Sequence, residues 1–183
     1  MLTGKDIIKL TALAAGAFVV KSTVQRFFEY DLKNKTVLIT GGSRGLGLVM
    51  AREFAAEGAR LVLCARDEEE LNRARVDLEL LGGDVMVVPC DITDKASVEA
   101  MMATVNARFG GVDVLVNNAG VIQVGPIEVM THEDFEHAMK THFWGPLNTI
   151  MAVLPSMRYR RPGVSVQKRR REEKVRQCGH HRG

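Results

Sequence analysis

Four short, almost wholly apolar runs, each followed by a helical pattern, constrain this chain most. They read KTVLIT (35–40), ARLVLCA (59–65), DVMVVPC (84–90) and VDVLVNNAG (112–120). An antiparallel strand with one wet face would alternate apolar and polar residues. Runs that stay apolar suit parallel strands buried on both faces. Between and after them, residues 46–58, 67–83, Lys95–Phe109 and Thr131–Tyr159 carry apolar positions at helical spacing. Residue 58 and residues 82 and 83 are glycines, suited to helix stops, and the Asp/Glu-rich start of 67–83 suits the positive end of a helix. Thr131, with Asp134 three residues on, is a candidate cap for the last helix. Strands alternating with helices predict right-handed β-α-β units in a doubly wound parallel sheet. This sheet is expected to be incomplete, with strands 1–4 and at most a stub of a fifth at residues 163–166.

Residues 31–160 form the expected domain. The segment before it, with LTALAAGAFVV (10–20) between Lys9 and Lys21, is apolar but spans only 11 residues. A bilayer crossing needs about 20. Residues 5–28 are expected either to lie as a helix on a membrane surface or to pack on protein. The three cysteines, Cys64, Cys90 and Cys178, match no metal spacing, and a reducing, cytoplasmic compartment is the simplest reading. No metal site is expected. In HEDFEH (132–137) the histidines stand five apart, about 140° around a helix, and cannot share a metal as an i, i+4 pair does.

The net charge of +3 hides an asymmetry. From Arg158 onward there are ten Lys or Arg against two Glu, which leaves the first 157 residues with fifteen basic and twenty acidic. The body is mildly acidic, so a nucleic-acid reading would rest on residues 161–183 alone. Arg169–Arg171 is the only dense basic run there, and no aromatic residue lies among it to stack on bases. Nucleic acid is not an expected partner. The tail is expected to be disordered.

TGGSRGLG (40–47) joins the first strand to the first helix. Glycines let a backbone turn sharply and approach a pyrophosphate, and the amides of a helix start attract its charge. The spacing Thr40-Gly41-x-x-x-Gly45-x-Gly47, the segment Cys90-Asp91-Ile92-Thr93-Asp94 after the third strand, and Asn117-Asn118-Ala119-Gly120 after the fourth together resemble the short-chain dehydrogenase/reductase family over residues 31–160. The resemblance implies a Rossmann-type fold, a nicotinamide cofactor and hydride exchange with a carbonyl or alcohol. It implies that Gly41, Gly45 and Gly47 line the pyrophosphate, with Thr40, Ser43 and Leu46 also among the cofactor-binding residues. Asp91 would hydrogen-bond the adenine, Asn117 would sit near the adenosine ribose and steady the sheet, and Ile92, Ala119 and Gly120 would also be among the cofactor-binding residues. The helix over 131–159 resembles the family's interface helix, which implies a homo-oligomer.

An acid at the end of the second strand would bind the ribose 2′-hydroxyl of NAD. Here the sequence reads Cys64-Ala65-Arg66. Arg66 and Arg44 suit a 2′-phosphate, so NADP is favoured over NAD. The alternative is that Arg66 pairs with Asp67 or Glu70. The family's proton chemistry uses a serine and a Tyr-x-x-x-Lys pair, and no Tyr-x-x-x-Lys occurs in this sequence. His142 stands where the family carries an asparagine, either as a member of a water relay or as a packed ring. The charged run after Val166 reads as a departure from the family's course, through a frame change or an alternative end. The chain is therefore expected to hold NADP(H) without turning it over, as a catalytically silent relative or as a non-enzymatic cofactor- or partner-binding protein.

Overall fold

The computed structural model describes residues 30–122, 124–160, 164–167 and 176–177. The chain divides into two units, Met1–Asp31 and Leu32–Gly183. The apolar or amphipathic helix expected within residues 1–30 and most of the basic tail lie outside the described residues.

The second unit is a six-stranded sheet in the order β3-β2-β1-β4-β5-β6. Its strands are β1 (Thr36–Thr40), β2 (Arg60–Ala65), β3 (Asp84–Pro89), β4 (Val114–Asn117), β5 (Val164–Gln167) and β6 (Arg176–Gln177). The first five run parallel, and β6 is antiparallel to β5. The expected stub is thus a paired strand. It covers the edge of β4, in register from Val114–Val164 to Asn117–Gln167.

Every residue of β1 is buried, as a strand flanked on both sides and both faces must be. The side chains alternate between two apolar layers. Leu38, Val62, Met86 and Leu115 point into one cluster. There they meet Val98, Met101, Met102 and Val105 of helix α3 (Lys95–Phe109) and Val153 and Met157 of helix α5 (Gly145–Arg160). Helices α1 (Gly45–Ala56) and α2 (Glu68–Leu80) lie against β1, β2 and β3 and bury Ala51, Leu71, Ala74 and Leu78.

The helix expected as one element over 131–159 is three. Helix α4 (His132–Met139) starts with the foreseen capping box, in which Thr131 and Asp134 satisfy each other's backbone amides. A π-helical turn, Lys140–Trp144, follows, and then α5. The backbone stays helical at the joints, but one turn is wider, and side-chain periodicity does not register that widening.

Candidate functional site

The sheet's order sets the place of the site. From β1 the chain crosses to β2 and β3 on one side, and only later to β4 on the other. The loops leaving the carboxyl ends of β1 and β4 therefore part, and the crevice between them is where open α/β sheets hold ligands. A cleft of about 860 Å³ opens there.

Its floor is the glycine turn. Gly41 and Gly45 adopt left-handed backbone angles, φ 65° and 56°, which side chains rarely tolerate. Gly47 has ordinary helical geometry, but a Cβ there would overlap the carbonyl oxygen of Gly41 and come within 2.7 Å of Asn118 Nδ2. A Cβ on Gly41 would stand 2.9 Å from the Cα of Ala119. The turn and the strand-four loop are thus packed backbone to backbone. Thr40 binds them together: its hydroxyl accepts from the amides of Asn118 (3.0 Å) and Ala119 (3.1 Å). Asn118 Nδ2 donates to the carbonyls of Thr40 (3.1 Å) and Gly41 (3.0 Å). Helix α1 starts from this turn at Arg44 with no side-chain cap, so its first amides face the cleft without a partner from a capping group.

The rim is charged. Helix α2 is capped by Asp67, whose carboxylate accepts from the amide of Glu70 at 2.8 Å. Glu70 reaches back across the cleft. Ser43 Oγ donates to its Oε2 and Arg44 Nη1 to its Oε1, both at 3.0 Å. The sequence allowed a pairing of Arg66 with Glu70, but the acid is taken by Arg44 instead, because Ser43 and Arg44 enter the cleft together from the glycine turn. Arg66 is exposed on the lining, and among the described residues no ion pair holds it. After β3, Asp91 closes a small turn: its Oδ1 accepts from the amide (2.9 Å) and hydroxyl (2.8 Å) of Thr93.

Cys64 and Cys90, at the ends of β2 and β3, lie side by side below the rim and line the same cleft. They shift in opposite directions. A hydrogen bond from Cys64, aided by Ser97, lowers the Cys90 thiol to about 7. The same hydrogen bond to Cys90, with burial, pushes Cys64 well above its usual range.

Of the residues named from the sequence, Gly41, Ser43, Arg44, Gly45, Leu46, Arg66, Asp91, Ile92, Ala119 and Gly120 line the cleft. Thr40, Gly47, Asn117 and His142 are not part of its lining. Asn117 is buried, and its Oδ1 accepts from Thr149 Oγ1 at 2.7 Å, which ties β4 to α5. Its neighbour Asn118, pointing the other way along the strand, is the one that reaches the cleft. Asn117 Nδ2 is buried without a partner. His142 sits in the π-helical turn with its ring against Gly120, and its Nε2 lies 2.8 Å from the carbonyl oxygen of Val121. Sequence reasoning did not assign Glu70, Lys140 or Thr141 to the lining. Lys140 and Thr141 come from the π-helical turn, which has no signature in residue type. Ser165, the serine nearest to where the family's catalytic serine would stand, pairs with Leu115 mid-strand, two residues short of the cleft end of β4.

A model of the family described as short chain dehydrogenase matches residues 35–167. The chain belongs to this family. Its relatives include an uncharacterized oxidoreductase of Mycobacterium bovis, 39% identical over 137 residues, covering 74% of this chain and 54% of the relative. A metagenomic short-chain oxidoreductase solved in complex with NADP superposes with a TM-score of 0.71 at 32% identity, covering 75% of this chain and 63% of that one. A short-chain dehydrogenase/reductase from Burkholderia phymatum in complex with NAD does so with a TM-score of 0.66 at 29% identity, covering 69% and 45%. The chain spans about half the length of the curated relatives it matches.

Proposed function

We propose that the cleft binds a nicotinamide dinucleotide, NADP(H) in preference to NAD(H), and that the chain as it stands does not turn it over. The observation that carries this is the glycine turn itself. The turn packs its backbone so tightly against itself and the strand-four loop that a Cβ on Gly47 or Gly41 would run into neighbouring backbone, and it leaves the helix start that it feeds uncapped. Such a start, with its amides and dipole open, is an anion site. The preference for NADP(H) is supported by Arg44 and Arg66 on the rim and by the lack of an acid at the end of β2. The similar oxidoreductase solved with NADP is consistent with it.

In this reading Gly41, Gly45 and Leu46 meet the pyrophosphate, and Asp91 and Ile92 hold the adenine. When bound, the nicotinamide supplies hydride to, or takes it from, a carbonyl or alcohol carbon. A proton must accompany that hydride, and no Tyr-x-x-x-Lys pair occurs in this chain to carry it. His142 is read as a packing residue. A carbonyl can only accept, so Nε2 carries the proton in its contact with Val121, and the ring pins the loop after β4.

Calorimetric titration of the full chain with NADPH and NADH tests the binding, with heat from both and the tighter constant for NADPH expected. Heat from neither would end the reading. Sustained NADPH consumption with aldehydes or ketones, by material free of other reductases, would overturn the lack of turnover.

The long helical segment supports a partner. Phe135, Met139, Phe143, Leu147 and Met151 recur every four residues and are exposed, with Trp144 edge-on to Phe143. An apolar row of this length suits a second copy of the chain. Sedimentation as a monomer at every concentration would remove that proposal. No helix among the described residues is long and apolar enough to cross a membrane. Contact of residues 5–28 with a membrane surface stays a proposal, which vesicle flotation of the full chain against one lacking those residues would test.

A further inference from the structure

We propose that Glu70 is a specificity-determining residue, an internal anion that occupies the donors a 2′-phosphate would need. The inference rests on the reading of the cleft as a dinucleotide site. One oxygen of Glu70 accepts from the Ser43 hydroxyl and the other from the Arg44 guanidinium, both at 3.0 Å. A hydroxyl and a guanidinium converging on two oxygens of one anion form a pattern that a phosphate fills as readily as a carboxylate. The carboxylate is held there from its own side: Asp67 fixes the Glu70 amide at 2.8 Å, which places the residue in the first turn of α2 with its side chain directed across the cleft.

The two cofactors then face different costs. NADP(H) brings a second anion to the rim. To use Ser43 and Arg44 it must displace Glu70, and it meets a like charge while doing so. NAD(H) brings a neutral 2′-hydroxyl, which needs neither donor and leaves the Glu70 pair in place. Glu70 thus narrows the NADP preference that Arg44 and Arg66 create. The size of the effect follows from exposure. The Arg44 side chain is 79% exposed and that of Glu70 21%. Solvent screens the pair, so releasing it is worth about fivefold in affinity rather than hundreds.

The test is calorimetry of the full chain with NADPH and with NADH, for the native protein, E70Q and the double variant R44A/E70Q. E70Q should bind NADPH about fivefold tighter and NADH unchanged, and the gain should vanish when Arg44 is absent. E70D, whose shorter arm cannot hold both donors, should gain in the same direction and serves if E70Q folds poorly. An unchanged or weaker NADPH constant in E70Q and E70D, with NADH unaffected, would overturn the proposal while leaving the cleft a dinucleotide site. Equal weakening toward both cofactors would reduce Glu70 to a structural role and overturn it too. Binding of neither cofactor by native chain or variants would sink the dinucleotide reading and this proposal with it.

Discussion

The first two helices start at the carboxyl ends of neighbouring strands and are nearly equal in length, yet their beginnings are opposites. Helix α2 enters through Asp67, which caps it, and places Glu68, Glu69 and Glu70 in its first turn. Helix α1 enters through Arg44, with no cap and no acid. The chain neutralises one positive helix end internally and leaves the other open. A helix that only had to be stable would be built like α2. The difference separates a structural start from a binding start, and Glu70 is where they touch, because charge belonging to the start of α2 leans onto the turn that feeds α1.

The largest expected effect comes from disturbing the tightly packed turn that feeds the open start. Gly47→Ala gains about 1 kcal/mol in helix propensity, but its Cβ overlaps the Gly41 carbonyl oxygen, which is backbone and cannot swing aside. Steric cost wins: about 3 kcal/mol of stability is expected to go, the melting midpoint to fall by roughly 10 °C, and NADPH binding to be lost. Gly82→Ala is the matched control at the far end of α2. Its φ of 83° costs about 1–2 kcal/mol, but nothing lies within 4 Å of the new Cβ and cofactor affinity should hold. If Gly82→Ala weakened NADPH binding as much as Gly47→Ala, the open start would have no special part in binding.

A smaller pair of effects should cross over between the two starts. Asp67→Ala removes the cap of α2 and should cost about 1 kcal/mol in thermal or urea unfolding. Arg44→Ala removes an exposed side chain that caps nothing and should stay within about 0.5 kcal/mol in stability. Its effect belongs in binding, where NADPH should lose affinity and NADH should not. Were Arg44→Ala the more destabilising of the two, the arginine would be a structural clamp, and the division between starts would fail.

Much of this was legible in the sequence, because the features that carry it are written in residue type. The parallel strands follow from unbroken apolar runs, and the glycine turn from its spacing between strand and helix. The cap at Thr131 follows from Asp134 three residues on. What could not be read are relations set by tertiary packing. Nothing in the letters says that Glu70 reaches Arg44 and not Arg66, since both arginines lie within a plausible arm's length. Nor does residue type reveal the wider turn at Lys140–Trp144, which brings Lys140 and Thr141 to the cleft. The family resemblance points to Asn117, and not to its neighbour Asn118, for the cofactor site. The pleat of β4 decides that the first is buried against Thr149 and the second reaches Gly41.

The third crossover offers the most delicate probe of the comparison, because it combines both kinds of start. Helix α3 is capped like α2, by Asp94 on the amide of Ala96, yet a thiol just before it lines the open cleft. Cys90 is lowered to about 7 by hydrogen bonds from Cys64 and Ser97, against burial and the charges of Asp91 and Asp94, which oppose its ionisation. Cys64 is raised and stays protonated. A depressed thiol pKa means that the reactive thiolate grows in as pH rises through about 7, a unit or more before an ordinary cysteine near 8.5. Iodoacetamide labelling, followed peptide by peptide in the mass spectrometer, should rise at Cys90 with a midpoint near pH 7 while Cys64 stays unlabelled to much higher pH. Saturating NADPH should slow the labelling of Cys90 severalfold, since both would occupy the same cleft. A midpoint at or above 8.5, or a rate indifferent to NADPH under conditions where calorimetry shows binding, would place the thiol pair outside the dinucleotide's reach.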